Sequence, residues 1–235
     1  GEILVSAVDF FRLGEQARPL VRTMIANLGG SFEGILSEIP EAIDQDGVLR
    51  KVNFYGSVKN DSREIESVFD YAPLTDKEFT RVHVGTLTQG KYWDILSAGE
   101  DGVFDFLRQP MQHSNYASVY LSFWMYSPRS LTDLLIEPGL PRVDMHAGVD
   151  DALAISINGT PVDSCMEEGG FREDEIIIRG VPLEKGWNHV LLKVGQGTGD
   201  WKCRVRFSSN KPGFMKEIKT TVDRREAQDD EGGAP

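Results

Sequence analysis

The chain has 235 residues, of which 40% are hydrophobic and 26% are charged, a composition typical of a globular protein. Its 37 acidic and 25 basic residues give a formal net charge of -12. This charge would repel a phosphate backbone and argues against nucleic acid as a partner. The longest apolar stretches are far too short to cross a bilayer, so we expect no membrane span.

An amphipathic helix is the first element that the sequence predicts. Pro19 fits the first turn of this helix, and Gly29 with Gly30 would end it. Its apolar residues recur at helical spacing, at Ala17, Leu20, Val21, Met24, Ile25 and Leu28. We interpret residues 1–47 as an N-terminal helical extension that packs on the next domain, with a remnant of a neighbouring domain or a partner-docking helix as alternatives.

From about Val48 the sequence is typical of an all-β sandwich, because short β-branched and aromatic runs alternate with Gly, Pro, Asn and Asp clusters. Residues 116–126 alternate between two sets of side chains and predict a central strand with two distinct faces. We assign a β-sandwich module to residues 48–209 and a C-terminal polar tail or linker to residues 210–235. Further strands are predicted at residues 134–137, 142–147, 153–157, 175–178, 189–194 and 201–207.

The last predicted strand carries one of the two cysteines, Cys165 and Cys203. Alternation places Trp201, Cys203, Val205 and Phe207 on the inward face of this strand. The two cysteines lack the paired spacing of a zinc site. They form either a single disulfide bridge or two buried thiols.

No catalytic machinery is recognisable in the sequence, so we predict that the chain is not an enzyme. A Gly-x-Ser-x-Gly elbow and a protease-like cysteine context are missing. The glycine-rich stretch at 195–199 precedes a strand, whereas a dinucleotide fingerprint requires a helix there. The histidines are dispersed, at His83, His113, His146 and His189. A hydrolase site built from distant Asp, Glu and His residues stays open as an alternative.

A pair of aspartates, Asp150 and Asp151, stands at the start of a predicted strand that leads to Asn158 and Gly159. Asn-Gly accepts the positive φ angles of a type I′ turn and therefore predicts a hairpin. Carboxylate and amide oxygens are hard donors that calcium prefers. Calcium needs six or more ligands and these residues supply three, so turn capping by the aspartates is the alternative interpretation.

Several of these segments occur in an order that resembles a known fold family. The succession is Asp150-Asp151, then Asn158-Gly159, then residues 181–194 with Lys185-Gly186-Trp187-Asn188, then Gly199-Asp200-Trp201. It resembles the jelly-roll modules of the galactose-binding-like and protective-antigen-type superfamilies, which are attached to bacterial carbohydrate-active and other surface enzymes. The resemblance covers about residues 48–209. It implies a two-sheet antiparallel jelly roll outside the cytoplasm: extracellular, periplasmic or at the cell surface.

The resemblance also implies a function, that of a non-catalytic carbohydrate-binding module in a multidomain bacterial protein. In calcium-dependent lectins of the protective-antigen type, an adjacent aspartate pair holds the ion that holds the sugar, and Asp150 and Asp151 match that pair. Sugar binding would also need an aromatic platform. The candidate ligand-binding residues are Asp150, Asp151, Asn158, Arg172 and Trp93, and further candidates for the platform are Tyr116, Trp124 and Trp187. Burial in the core is the alternative for the aromatic residues, and a surface ion pair is the alternative for Arg172. The alternative is a structural or interaction module that orients a neighbouring enzyme domain and has no ligand of its own.

Overall fold

The computed structural model of the chain describes residues 41–60, 79, 82, 86–109, 111–131, 139–167 and 170–222. Within these ranges the chain is all-β, and it has two short 3-10 helices, Phe106–Arg108 and Phe214–Glu217, and no α-helix. The strands are β1 Lys51–Lys59, β2 Leu87–Thr88, β3 Lys91–Tyr92, β4 Asp94–Ser97, β5 Val103–Asp105, β6 Ala117–Ser127, β7 Val143–Val149, β8 Asp151–Ile157, β9 Thr160–Glu167, β10 Ile176–Ile178, β11 Gly186–Gln196, β12 Lys202–Ser209 and β13 Lys219–Thr221.

Most of these strands form two antiparallel sheets. The larger sheet has the order β4-β1-β6-β11-β8-β9, and β13 pairs with the second half of β6. The smaller sheet has the order β10-β7-β12-β5, and β2 with β3 forms a separate two-stranded ribbon. One hydrophobic core contains buried residues of both sheets. The sheets therefore pack on each other through a shared core, as alternating strands require.

Alternation along the strands decides which side chains enter this core, and the predictions for β6 and β12 are confirmed. Ala117, Val119, Leu121, Phe123 and Met125 of β6 are all buried in the core between the sheets. The same holds for Trp201, which directly precedes β12, and for Cys203, Val205 and Phe207 of β12 in the smaller sheet. The two cysteines are free thiols. Burial raises the pKa of the Cys203 thiol, so this cysteine is a core residue and not a reactive one.

The chain crosses from the smaller sheet to the larger one between β7 and β8. Strand β7 ends at Val149 and β8 begins at Asp151, so Asp150 is the single residue between these two strands. Its backbone N–H donates to the Lys202 carbonyl oxygen at 3.0 Å, which ties the crossing to the start of β12. At the far end of β8 the predicted type I′ hairpin is confirmed, with φ angles of 52° and 77° at Asn158 and Gly159. These two positions are about 20 Å apart, the length of a seven-residue strand.

The core extends beyond both predicted boundaries of the module. On the N-terminal side, Ala42 and Ile43 are buried in it. On the C-terminal side, β13 pairs with β6, and Phe214 and Ile218 belong to the core. The predicted helix near residues 17–28 and the predicted strand at 134–137 lie outside the described residues. No helix in the described ranges is long and apolar enough to span a membrane.

Candidate functional site

Asn158 lies at the opposite end of β8 from the aspartates. Its Oδ1 accepts a hydrogen bond from the His189 backbone N–H at 2.8 Å, and its Nδ2 donates to Asn188 Oδ1 at 3.0 Å. Both polar groups of this side chain therefore fasten the hairpin to the start of β11. The structure does not bring Asn158 together with Asp150 and Asp151.

Trp93 is a core residue and does not provide the exposed ring that the sequence analysis assigned to it. Its side chain is fully buried, and its Nε1 donates to Thr88 Oγ1 at 3.0 Å. Its ring stacks on Tyr55 with the ring centroids 5.1 Å apart. A sugar cannot reach a ring that is enclosed in this way.

Arg172 lies near the aspartates through its backbone. A Cβ placed on Gly148, two residues before Asp150, would meet the Arg172 carbonyl oxygen at 2.1 Å. The loop that carries Arg172 therefore presses on the end of β7, and only glycine leaves room for it. The Arg172 guanidinium itself is exposed and is paired with Glu175 at 2.8 Å.

Asp150 and Asp151 differ in what their carboxylates contact. Asp151 has a φ angle of 78°, and its Oδ2 accepts a hydrogen bond from the Gly197 N–H at 2.6 Å. Asp150 is only 6% exposed, and its carboxylate accepts no hydrogen bond from any described residue. The turn-capping interpretation therefore holds for Asp151, while the Asp150 carboxylate is left without a partner in the described ranges.

Tyr116 joins the aspartates through the same glycine. Its N–H donates to the Gly197 carbonyl oxygen at 2.8 Å, and its own carbonyl accepts from the Asn60 N–H at 2.8 Å. It is partly exposed, and its φ angle is 48°. Tyr116 and Asp151 are thus two non-glycine residues with left-handed backbone that share one hydrogen-bonding partner. Strained residues of this kind cluster at ligand sites. We call Tyr116, Asp150, Asp151 and Gly197 the aspartate end.

The electrostatics of the aspartate end centre on Asp150. Burial raises the pKa of its carboxyl, and the neighbouring charges of Asp151 and Asp200 raise that pKa further. Lys202 opposes them only through its charge, because its Nζ is bonded to Asp200 Oδ2 at 2.6 Å. A buried charge without a partner is costly. The site would therefore be stabilised by a ligand that brings a positive charge or several hydrogen-bond donors.

The fit of calcium to this end can be judged from the available oxygens. Both carboxylate oxygens of Asp150, and Oδ1 of Asp151, accept no hydrogen bond from the described residues. Calcium takes at least six oxygen ligands, so these carboxylates supply half of the smallest shell. No cluster of three or more His, Cys, Asp or Glu side chains in the described ranges is placed to hold a metal ion. The aspartate pair therefore does not form a calcium site by itself.

A groove lies at the other end of the molecule, between the edge strands β9 and β10. Its volume is about 670 Å³, and the residues that line it include Asn158, Pro161, Ile177, Arg179 and Glu184. Ile177 is 47% exposed. Polar and apolar residues line this groove about equally, whereas most ligand grooves are mainly apolar. This groove is therefore a second concave surface, separate from the aspartate end.

Comparison with known proteins gives structural neighbours but no family. No family model matches the chain, and no curated protein matches it. One solved structure that it resembles is an anti-sigma factor domain-containing protein, at 11% identity and a TM-score of 0.38, over 76% of this chain and 46% of that chain. The chain thus spans less than half the length of that protein.

Two further solved structures are similar to the chain at low identity. One is the PA14 domain of the MpAFP antifreeze protein, at 12% identity and a TM-score of 0.34, over 80% of this chain and 82% of that chain. The other is a family 35 carbohydrate binding module from an environmental isolate, at 10% identity and a TM-score of 0.28, over 46% of this chain and 72% of that chain. At these similarities no property of the neighbours is transferred to this chain.

Proposed function

We propose that the chain is a two-sheet jelly-roll module that binds carbohydrate at the aspartate end and has no catalytic activity of its own. The observation that carries this proposal is the Asp150 carboxylate. It is 6% exposed, has no hydrogen-bond partner among the described residues, and lies next to a second carboxylate. Buried polar groups are normally hydrogen-bonded. A carboxylate left in this state is suited to accept hydrogen bonds from a ligand.

The surroundings of Asp150 suit a sugar. Sugar hydroxyls can donate to the free oxygens of Asp150 and Asp151, and the partly exposed ring of Tyr116 is available for the apolar face of a pyranose. The turn beside them is open, since a Cβ placed on Gly199 would meet no atom within 4 Å. These features combine polar acceptors, an aromatic ring and free access at one end of the fold.

Calcium, a location outside the cytoplasm and a multidomain parent protein are parts of the proposal that rest on the sequence resemblance. For calcium the ligand would have to complete the shell, because the described carboxylates supply only half of it. A chelator therefore belongs in the first binding experiment. Binding that needs the ion and binding that does not are both compatible with a carbohydrate module.

The test is a glycan array with the whole chain, in calcium and in chelator, repeated with matched variants. Asp150→Asn removes the charge and keeps the shape, whereas Tyr116→Asn removes the ring and keeps a residue that tolerates positive φ. Each is expected to weaken binding about tenfold or more, the usual effect of losing a charged hydrogen bond or a stacked ring. Asp46→Asn is the control, because Asp46 is an exposed residue in the turn before β1.

An array without any bound glycan would overturn the proposal, as would Asp150→Asn and Tyr116→Asn variants that bind as well as the Asp46→Asn control. Release of reducing ends from a bound glycan would show catalysis and contradict the non-catalytic part. Folding of each variant is checked by its thermal unfolding transition.

One observation favours a second function, that of an interaction module for a neighbouring domain. The groove lies between the edge strands β9 and β10 and leaves Ile177 47% exposed, and an edge strand beside a groove can pair with a segment of a partner. If the glycan array is empty, binding of the parent protein's adjacent domain is measured with the wild-type chain and with Ile177→Asp. Loss of binding in the variant would support the interaction function.

A further inference from the structure

We infer that the ligand at the aspartate end carries a primary ammonium group, so that the glycan it takes is one with free amino groups. This inference rests on the proposed function and names the ligand class of the same site. It depends on how the charges at this end are already paired, and on how many acceptor oxygens remain.

The other carboxylates near Asp150 have partners of their own. Asp200 is bonded to Lys202 at 2.6 Å, and Asp105 is paired with Arg108 at 2.9 Å. Asp151 has one oxygen on the Gly197 N–H. Among the carboxylates at this end, those of Asp150 and Asp151 have no ion-pair partner in the described part of the chain.

The chemistry of a ligand group that suits Asp150 follows from the charge and the surroundings of its carboxylate. Asp150 is 6% exposed, and the like charges of Asp151 and Asp200 act on its carboxylate. Hydroxyl groups of a neutral sugar would supply hydrogen bonds but would leave the buried negative charge uncompensated. An ammonium group supplies both hydrogen bonds and a compensating positive charge, and charge-assisted hydrogen bonds are stronger than neutral ones.

The number of carboxylate oxygens that accept no hydrogen bond also matches a primary ammonium group. Three carboxylate oxygens of Asp150 and Asp151 accept no hydrogen bond from the described residues, and a primary ammonium donates three N–H bonds. Calcium would need at least six oxygens. An acidic sugar would meet Asp150, Asp151 and Asp200 with a charge of the same sign, so the site discriminates against uronates.

Substitution of Lys202 provides a second test of ammonium binding. Its charge opposes that of Asp150 and is held by Asp200. Lys202→Gln removes this cation, which would otherwise repel an incoming ammonium. We therefore expect Lys202→Gln to bind an amino glycan more tightly, about threefold or more for an added unit of local charge, and to change the binding of a neutral glycan little.

The experiment is calorimetric titration of the whole chain, in chelator and at a pH where amines are protonated, with three hexasaccharides of one linkage. These are the β-1,4-linked hexamers of glucosamine, N-acetylglucosamine and glucose. The glucosamine hexamer is expected to bind about tenfold more tightly than the other two. Asp150→Asn should abolish this preference, and the Asp46→Asn control should keep it. A lysine hexamer, which carries the same charge without a sugar, should bind much more weakly.

The outcomes separate this inference from the proposed function. If the neutral or N-acetylated hexamer binds as tightly as the glucosamine hexamer, the carbohydrate function stands and the ammonium inference is overturned. Glycan binding that appears only when calcium replaces the chelator overturns it as well. A lysine hexamer that binds as tightly as the glucosamine hexamer shows a charge site and overturns the assignment to sugar. A chain that binds no glycan, here or on the array, contradicts the proposed function too.

Discussion

The two ends of strand β8 carry similar polar residues, but these residues differ in their hydrogen bonding. At the hairpin end, Asn158 and Asn188 bond to each other and to the backbone around them. At the aspartate end, Asp151 is bonded to Gly197, but Asp150 is buried without a partner among the described residues. At the hairpin end the two asparagine side chains are hydrogen-bonded within the protein, whereas at the aspartate end the Asp150 carboxylate accepts no hydrogen bond from the described residues.

This difference separates a structural role from a binding role better than residue type does. A buried polar group whose partners are all internal contributes to stability and offers nothing to a ligand. A buried polar group that lacks a partner lowers stability until something binds it. Substitutions at Asn158 and Asn188 should therefore lower stability and leave glycan binding at the aspartate end unchanged, and those at Asp150 should affect stability and glycan binding in opposite directions.

The largest effect is expected from Asn188→Ala at the hairpin end. Asn188 is fully buried, its Nδ2 donates to the carbonyl oxygens of Glu184 and Gly186 at 2.8 and 3.0 Å, and its Oδ1 accepts from the Glu184 N–H at 2.8 Å. The substitution removes these three hydrogen bonds of a buried side chain, which should lower the free energy of unfolding by about 3 kcal/mol, or about 1 kcal/mol for each bond. Urea denaturation measures this loss, and Asn210→Ala, which removes the bond from the Arg142 N–H to an exposed side chain, should cost less. A loss below about 1 kcal/mol would contradict the structural role.

Gly148→Ala should have the next largest effect, because it tests the close approach of the Arg172 loop to β7. The added methyl would lie 2.1 Å from the Arg172 carbonyl oxygen, so the loop must shift. We expect a loss of about 2 kcal/mol, typical of overpacking. Gly197→Ala is the comparison, since its methyl would lie 3.4 Å from Asp151 Oδ2. This variant should lose less free energy of unfolding than Gly148→Ala. Equal losses in the two variants would show that the close approach is not the cause.

Asp150→Asn is expected to stabilise the protein while it weakens ligand binding. The substitution replaces a buried charge that has no partner by a neutral side chain of the same shape, which should raise the free energy of unfolding by about 1 kcal/mol. The measurement is urea denaturation at neutral pH without ligand, with Asp46→Asn as the control. Destabilisation by Asp150→Asn would mean that the carboxylate has a stabilising partner in the folded protein.

The smallest effect concerns pH. The pKa of Asp150 is raised in the folded protein by burial and by the charges of Asp151 and Asp200. Above its ordinary value of 3.8, the folded protein therefore holds this proton more tightly than the unfolded chain does, and this contribution to stability is lost as the pH rises through the folded pKa. The difference in free energy of unfolding between Asp150→Asn and wild type should grow from pH 4 upward. A difference that does not change with pH would contradict the raised pKa.

Much of the fold could be predicted because local patterns determine it. The alternation in β6 and β12 fixed which side chains are buried, and the Asn158-Gly159 pair identified the hairpin between β8 and β9. Strand β9 itself was missed, since Pro161 and its polar residues obscure an alternating pattern at the edge of a sheet. Strand β13 was missed because its pairing with β6 joins segments that are distant in sequence.

The candidate site could be predicted only in part. The aspartate pair was identified from the sequence, and so was Tyr116 as one of several aromatic candidates. Gly197, which links them, was not identified, because the contact depends on how the turn after β11 folds over the start of β8. For Trp93 the core alternative is confirmed and the ligand-binding role is wrong, because an aromatic residue in an irregular segment has no alternation that shows which way it faces. The free carboxylate of Asp150 cannot be recognised without knowing which donors surround it.

The crossing from β7 to β8 through a single residue also limits how this region can change in length. Both flanking strands are paired in fixed register, β7 with β12 and β8 with β11. One inserted or deleted residue at Asp150 would have to shift one of these registers, and a one-residue shift turns buried side chains outward. The crossing therefore tolerates substitution, including the removal of its charge, but does not tolerate insertion or deletion. Diversity in what this end binds would have to come from the neighbouring turn at residues 197–200 and the loop at 170–175.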